Sequence, residues 1–230
     1  MKRFEIVDLT YAIKSDMLVC PGIERPVFRW LGKVNSEGYN LTKISMVVHT
    51  GTHVDAPKHF FDNGLCIDEV SLNRLFGKAK LYRYTEELKG QIITIENILS
   101  SGFQLEEDTI FVMETGIEKF MDTNLYNEVF PIPSEKLIRW LISKKIKAYM
   151  TDATSIDPVG TKDSPNHNLL LGVGVPIVEN LKNVRLLAEN NAFLISALPI
   201  KFQGIEGSPC RAIAITNVEK FMATEKLYID

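Results

Sequence analysis

Residues 49–60, HTGTHVDAPKHF, constrain the fold of this chain more than any other segment. The 230-residue sequence contains four histidines, and three of them lie in this stretch around one aspartate. Random placement of four histidines would rarely produce such a cluster. Imidazole and carboxylate groups are the ligands that Zn²⁺ and Mn²⁺ accept in proteins. The fold must therefore accommodate a group of metal-ligand side chains drawn from one short piece of backbone.

The local sequence predicts extended chain with a sharp turn rather than a helix. Gly51 disfavours a helix between the histidines, and Pro57 would end one. On a strand the odd-numbered positions of the segment would share one face. However, His49 and His53 would then lie ~13 Å apart, too far to reach one ion through bonds of ~2.0 Å. We therefore predict a turn at Gly51 and expect the Thr52 hydroxyl to hydrogen-bond a ligand carboxylate.

Composition excludes several classes of protein. The chain is 45% hydrophobic, and its net charge of −3 and pI near 5.9 argue against a nucleic-acid partner. No stretch approaches the ~18 apolar residues that a membrane helix needs, so no membrane partner is expected. The three cysteines are widely spaced, as is typical of reduced thiols in the cytoplasm. We expect a soluble, cytoplasmic, globular protein.

Alternating strand and helix patterns predict one mixed α/β domain over residues 1–230. The clearest helix signal follows Ser134, a good N-cap, and has apolar residues recurring on one face. A shorter helix is predicted at 68–76. Strands are predicted at 4–10, 43–49, 78–85, 108–115, 147–152, 191–200 and 210–216.

A metal site needs ligands from outside the histidine segment. His167 is the only remaining imidazole, and Glu179 is the one acid in the apolar stretch that follows it. Taken alone, Glu179 would be read as a surface residue of a helix beginning near Val175. The combined set suits Zn²⁺, or less well Mn²⁺, and suffices for two ions if one carboxylate bridges. Its members are His49, His53, Asp55, His167 and Glu179.

Several alternatives to a catalytic metal site are conceivable. A surface histidine cluster with incidental metal affinity is one, but the apolar residues flanking the segment indicate burial, so a buried histidine–aspartate cluster without metal is the stronger competitor. A serine hydrolase is unsupported because no G-x-S-x-G motif occurs, and Cys66, a conceivable nucleophile, lacks an evident activating group. A non-catalytic metal-binding protein would keep the ligands but would not need His59, whose presence favours an enzyme.

Several segments resemble the metal-dependent cyclase family, which includes bacterial kynurenine formamidases and isatin hydrolases. The segment 49–60 followed by IDEVSLNRLFGKA carries the most specific resemblance, and weaker blocks follow in order at 134–158, 166–183 and 207–215. The resemblance implies a single compact α/β domain of the swivelling β/β/α type, with mixed sheets or a barrel-like β core flanked by helices. It also implies a homodimer or homotetramer.

The resemblance implies a role for each site residue. His49, His53 and Asp55 would bind the first of two Zn²⁺ ions, with Asp55 bridging to a second ion held by His167 and Glu179. His59 would be a catalytic general acid/base that is not a ligand. The implied reaction is hydrolysis of a small amide by metal-activated water, with His59 passing a proton to the leaving group.

The substrate is less constrained than the chemistry. The implied substrates are an arylformamide such as N-formylkynurenine or a cyclic amide, with lactone or ester hydrolysis or cyclisation as the alternative. Kynurenine formamidases tend to carry an aromatic residue just before a Pro-Gly pair, whereas Cys20 stands at that place here. This departure weakens the case for an aromatic formamide. Four aromatic residues are candidates for the pocket wall or the core: Phe28, Trp30, Phe60 and Phe61.

Overall fold

A mixed sheet of nine strands forms the centre of the protein. The structure, a computed structural model, describes residues 4–86, 91–121, 123–188 and 193–217. The strands are β1 (Glu5–Asp8), β2 (Val27–Gly32), β3 (Leu41–Ser45), β4 (His53–Asp55), β5 (Phe76–Arg83), β6 (Ile92–Ile93), β7 (Ile110–Glu114), β8 (Ile132–Pro133), β9 (Tyr149–Thr151), β10 (Ile177–Glu179), β11 (Phe193–Ser196), β12 (Gly207–Pro209) and β13 (Ile213–Thr216). The helices are α1 (Val34–Glu37), α2 (Leu72–Leu75), α3 (Ile95–Ser100), α4 (Glu135–Ser143) and α5 (Pro165–Gly172), with 3₁₀ turns at Pro57–His59, Ile117–Phe120, Asn124–Asn127 and Val184–Leu186.

The strand order of the main sheet is β1-β13-β11-β5-β7-β9-β10-β4-β12. Strands β5, β7, β9 and β10 run parallel, and every other pairing in this sheet is antiparallel. The sheet curls, because the chain just after β1 reaches the chain just after β10: the Leu9 carbonyl accepts a hydrogen bond from the Lys182 amide at 2.9 Å. The expected barrel-like, mixed β core of a single α/β domain is confirmed. Two small sheets, β2-β3 and β6-β8, accompany it.

Both faces of the central strands are buried, which explains their continuous apolar sequences. In β7, Ile110 and Val112 point to one apolar cluster, whereas Phe111 and Met113 point to the other. The first cluster fills the inside of the curl and contains several alanines, whose small side chains let strands curl closely. The second cluster lies under α3, α4 and α5. The parallel strands β5, β7 and β9 therefore form a buried frame. The short strands β10, β4 and β12 follow beside β9 at one end of the sheet.

Helix α4 begins as its sequence predicts. The Ser134 side chain accepts a hydrogen bond from the Leu137 amide, and Leu137, Ile138 and Leu141 are fully buried. Most predicted strands are also confirmed in position, with ends that differ by a few residues. None of the helices in the described ranges is long and apolar enough to cross a membrane.

Three predicted elements differ from the structure. The strand predicted at 43–49 ends at Ser45, because the chain turns toward the histidine segment. The helix predicted at 68–76 is limited to Leu72–Leu75, and Glu179 lies on strand β10 rather than on a helix. Residues 191–192 of the predicted strand 191–200, and the end of the domain predicted to reach residue 230, lie outside the described residues.

Candidate metal centre and active site

Strand β4 places the first two site residues. His53 and Asp55 are two positions apart and therefore point to the same face of the strand. β4 pairs in antiparallel fashion with β10, and in this register Glu179 lies directly opposite His53. Such cross-strand neighbours have Cβ atoms about 5 Å apart. The register therefore brings one imidazole and two carboxylates together, with His53 Nε2 at 3.3 Å from Asp55 Oδ1 and 3.7 Å from Glu179 Oε2.

The predicted turn at Gly51 is present and brings His49 back to the strand. Gly51 has a φ of +64°, in the left-handed region that glycine adopts without a steric penalty. After this turn the His49 Nδ1 atom lies 2.7 Å from Asp55 Oδ1. His49 and His53 thus approach the same carboxylate although an extended chain would separate them.

His59 reaches the site from the other end of the segment. Pro57 begins a 3₁₀ turn that ends at His59, so the chain leaves the strand and turns back over it. The rings of His59 and His49 stack with centroids 4.1 Å apart. One possible metal-ligand atom from each of His49, Asp55 and His59 lies within 4.8 Å of the other two. The odd-numbered positions 49–59 were expected to share one face of a strand. Only His53 and Asp55 do so, because His49 and His59 lie outside the strand, on turns.

His167 completes the group from helix α5. Its Nε2 atom lies 3.3 Å from Glu179 Oε1 and 3.8 Å from Asp55 Oδ2. Asp55 is central, because one of its oxygens faces His49 and His53 while the other faces His167. All five predicted ligand residues and His59 line one cavity.

Backbone and side-chain acceptors fix the orientation of two imidazole rings. The Gly51 carbonyl accepts a hydrogen bond from His53 Nδ1 at 2.8 Å, and Asp157 Oδ2 accepts one from His167 Nδ1 at 2.7 Å. A carbonyl or carboxylate oxygen can only accept, so Nδ1 carries the proton in each ring. In neutral rings the lone pair is then on Nε2, which in both residues faces the carboxylates. This is the usual arrangement of imidazoles that bind metals.

The residues present fit a divalent metal. Two ligand atoms on one tetrahedral ion are roughly 3.3 Å apart if each bond is ~2.0 Å, and the nitrogen–oxygen separations here run from 2.7 to 3.8 Å. Within the described part of the chain, Glu179 Oε1 and His49 Nε2 are buried and form no hydrogen bond of normal geometry. Burying polar atoms without a partner is costly, and a bound cation would satisfy the carboxylate oxygen.

Charge interactions among the clustered side chains are strong because His53, Asp55, His167 and Glu179 are buried. Burial lowers the pKa of His53, but the carboxylates of Asp55 and Glu179 outweigh burial and raise it to about 9. Burial likewise opposes charge on His167, yet Asp157 and Glu179 raise its pKa to about 10. Without metal, both imidazoles therefore act as the cations of the site.

The pKa values of the two carboxyl groups and of His59 are shifted in different directions. Burial alone would raise the pKa of Asp55, but His53 and His49 hold it well below its usual range. Glu179 has a raised pKa because burial prevails there. Burial, aided by the three neighbouring imidazoles, lowers the pKa of His59 to about 4, although Asp55 opposes this shift.

The cavity above these residues has a volume of about 210 Å³. This is smaller than the ~300–1,000 Å³ of pockets that hold drug-sized ligands, so the cavity suits a small molecule. Its wall includes Met17–Cys20 and Ile23 from the segment before β2, together with Phe60 and Tyr126. Cys20, singled out at the place where an aromatic residue is common, therefore faces the candidate site.

Several expectations about neighbouring residues were wrong. The Thr52 hydroxyl does not bond a ligand carboxylate, because it donates to the Asn180 carbonyl at 2.6 Å and accepts from the Tyr11 amide. Phe28 and Trp30 belong neither to the cavity wall nor to the core, since both are exposed on β2. Phe61 is also absent from the wall, whereas Phe60 is part of it.

Three residues near the site were missed from the sequence. Asp157 bonds His167, Gly207 approaches His49 from a distant segment, and Glu206 places a carboxylate oxygen 3.6 Å from His49 Nε2. The motif GIEGSPC gives no local signal for such contacts. Asp157 lies ten residues before His167, and a search for acids near this isolated histidine would have found it.

We expect Gly207→Ala to destabilise the site. A Cβ atom at this position would lie 2.9 Å from both the His49 Cε1 atom and the Val54 carbonyl oxygen. The cost should be about 1–3 kcal/mol, typical of overpacking, as measured by urea unfolding.

Gly172→Ala is the matched control for this substitution. Its Cβ would meet only the end of the Phe61 ring, at 3.2 Å, and alanine is favoured in a helix. An equal loss of unfolding free energy in both variants, or none at Gly207, would contradict the tight contact with His49.

Comparisons with known proteins identify the family of this chain. The family model described as "Putative cyclase" matches residues 7–158. A kynurenine formamidase of Bacillus mycoides (strain KBAB4) is 28% identical over 93% of this chain and 98% of its own length.

Solved structures share the fold. Isatin hydrolase A from Labrenzia aggregata superposes with a TM-score of 0.82 and 26% identity, covering 92% of this chain and 93% of the other. A structure described as a "predicted metal-dependent hydrolase from Bacillus stearothermophilus" gives a TM-score of 0.76 and 26% identity, covering 93% and 99%. Since the family model covers more than half of the sequence, the chain belongs to the cyclase family.

Proposed function

We propose that this protein is a metal-dependent hydrolase that cleaves the C–N bond of a small amide. One observation carries the proposal: three imidazoles and two carboxylates converge in a single small cavity, beside a further histidine. The names of the relatives support it, because kynurenine formamidase and isatin hydrolase are both amide-hydrolysing enzymes. An arylformamide such as N-formylkynurenine and a cyclic amide such as isatin are the first substrates to test.

The metal would be held by the five residues predicted from the sequence. His49, His53 and Asp55 would hold one ion, and His167 and Glu179 would hold a second, with Asp55 between them. The central position of Asp55, whose two oxygens face different histidines, supports two ions per chain. Nitrogen and oxygen ligands without a thiolate suit Zn²⁺, with Mn²⁺ as the alternative. A divalent cation in such a site polarises a carbonyl and lowers the pKa of water.

His59 is the proposed general acid/base. It lies beside the ligand group on the 3₁₀ turn and is less buried than His53 or Asp55. Its neutral imidazole accepts the proton that the attacking water loses as the new C–O bond forms. The same proton then passes to the leaving nitrogen while the C–N bond breaks, which yields a carboxylic acid and an amine.

The cavity wall contributes binding and exclusion of water. Phe60 stacks on the His167 ring with centroids 4.9 Å apart, so it covers one side of the ligand group. Leu18, Val19 and Ile23 add apolar side chains to the cavity wall. Apolar walls with a few polar groups are typical of small-molecule sites. The wall therefore favours a compact substrate with an apolar body next to its reactive carbonyl.

The first test measures metal content per chain and hydrolysis of N-formylkynurenine and isatin, before and after chelation. We expect about two metal ions and activity that chelation removes and Zn²⁺ or Mn²⁺ restores. Metal without hydrolysis of either amide would move the search to lactones and esters. A chain that binds neither ion would contradict the proposal.

His59→Ala separates catalysis from metal storage. Loss of a general acid/base typically costs 10²–10⁴-fold in rate, so kcat should fall by about this factor while metal content stays unchanged. Loss of metal in the variant would instead make His59 a ligand, as its distance from His49 and Asp55 permits. Unchanged turnover would contradict the acid/base role.

Two carboxylate variants test the division of ligands. Asp55→Asn should lose both ions, because this residue lies between the two groups of ligands. Glu179→Gln should weaken mainly one ion, read as a stoichiometry near one per chain by metal analysis. Asp62→Asn is the control, because Asp62 is an exposed acid two residues after the histidine segment 49–60. Equal losses in both site variants would contradict the bridging position.

We also propose that the protein is a homodimer that uses the β2–β3 hairpin. Every residue of Val27–Leu31 and of Leu41–Ser45 is exposed. Phe28 pairs with Ile44 in the register, so these residues and Trp30 share one face. Soluble monomers rarely expose apolar patches larger than a few hundred Å². A second copy of the chain is the partner that would cover this face.

Ile44→Ser tests the hairpin interface by light scattering after gel filtration. Ile44 is 58% exposed, and Ile92→Ser, at a position 61% exposed on β6, is the matched control. We expect only Ile44→Ser to raise the dissociation constant of the dimer. A wild-type monomer at all concentrations, or equal effects of both variants, would contradict the proposal.

A further inference from the structure

Asp157 has no role in the reaction described above, yet its carboxylate is buried and accepts three hydrogen bonds. It is only 2% exposed. Its Oδ2 atom accepts hydrogen bonds from His167 Nδ1 at 2.7 Å and from the His167 backbone amide at 3.0 Å. Its Oδ1 atom accepts one from the Asn166 amide at 3.1 Å. One carboxylate thus holds both the backbone and the ring of the same histidine.

The loop that carries Asp157 is itself fixed to helix α5. The Asn166 side-chain amide donates to the carbonyls of Pro133 and Ile156, each at 2.8 Å. The Ser155 hydroxyl accepts a hydrogen bond from the Asp157 amide at 3.2 Å. These contacts tie the first turn of the helix to the residues just before Asp157. The carboxylate therefore has little freedom to move away from the His167 ring.

We infer that Asp157 is a positioning residue that makes His167 able to bind metal. The carboxylate keeps the proton of the neutral ring on Nδ1, so the lone pair remains on Nε2. That atom faces Glu179 Oε1 at 3.3 Å and Asp55 Oδ2 at 3.8 Å. This inference rests on the proposed function, because it assumes that His167 is a ligand. Outer hydrogen-bond partners of this kind typically change metal affinity 10–100-fold.

A purely structural role would have a different signature. Asp157 also accepts two amide protons at the start of α5, so its loss would destabilise the helix even if His167 bound no metal. Stability alone therefore cannot separate the two roles. The ring tautomer and the affinity for metal can, because a helix anchor has no influence on which nitrogen carries the proton.

Asp157→Asn is the informative substitution. It retains the size of the side chain but replaces one acceptor oxygen by an NH₂ group. When that NH₂ donates to Nδ1, the ring carries its proton on Nε2 and presents no lone pair to the carboxylates. A related substitution at the aspartate of the serine-protease triad leaves geometry intact and traps the wrong tautomer.

The experiment measures Zn²⁺ binding to the wild type, Asp157→Asn and Asp163→Asn by competition with a chelating dye. Asp163 is an exposed acid two residues before the helix and serves as the control. We expect one of the two ions to bind 10–100-fold more weakly in Asp157→Asn and both to bind normally in Asp163→Asn. The Co²⁺ absorption spectrum should also lose intensity in the first variant only, because one ligand is missing.

A second measurement uses the wild type and needs no folded variant. In ¹⁵N-histidine-labelled, Zn²⁺-loaded protein, the His167 ring should show a proton on Nδ1 and none on Nε2. The chain has only four histidines, so the signals can be assigned. A proton on Nε2, or full affinity and an unchanged spectrum in Asp157→Asn, would overturn the inference. Failure of the wild type to bind any metal would instead overturn the proposed function.

Discussion

The antiparallel register between β4 and β10 is the constraint on which the site depends. His53 lies opposite Glu179, and Asp55 lies one pleat further along the same face. A shift of one residue would turn these side chains to the other face of the sheet, into an apolar cluster. β4 lies between β10 and β12 and is only three residues long, so both neighbours are needed to fix it. The parallel strands beside β10 provide the rigid edge against which this register forms.

The same register creates an electrostatic problem. It buries carboxylate oxygens of Asp55 and Glu179 within 4.8 Å of each other, and water cannot solvate their charges there. Without metal, protons on His53 and His167 offset the repulsion, which explains why the pKa values of both rings are raised. A divalent cation offsets it more completely and leaves the imidazoles neutral. Metal binding should therefore also stabilise the fold, because the unfolded chain has no preformed site.

Local sequence predicts those features that depend on neighbouring residues. The turn at Gly51, the cap at Ser134 and the common face of His53 and Asp55 follow from spacing and from the dihedral preferences of single residues. The grouping of all six site residues was also predicted from residue chemistry and from family resemblance together. In contrast, Thr52 bonds a carbonyl 128 positions away, and Gly207 approaches His49 from a separate segment. Such contacts depend on topology, which spacing along the chain does not encode.

Aromatic residues show a second limit of sequence reading. Phe28 and Trp30 have the composition of core or pocket residues, yet they lie on an exposed hairpin. The residue type indicates that an apolar side chain favours contact with another surface. It does not indicate whether that surface belongs to the same chain. The strand predicted at 43–49 was misjudged for a related reason, because its apolar residues continue into the turn before His49.

The fold separates the residues that determine chemistry from those that determine specificity. The proposed metal ligands lie on short strands, turns and a helix that the main sheet fixes, whereas much of the cavity wall comes from the loop before β2. Loops accept substitution more readily than paired strands. Cys20 lies in that loop, so a substitution at this position would change the cavity wall without moving the proposed metal ligands. The loop also leads directly into the exposed hairpin, so a partner bound there would restrict the cavity wall. If the proposed dimer forms through the hairpin, residues 17–32 would link substrate choice to assembly, whereas the proposed metal ligands lie on other segments.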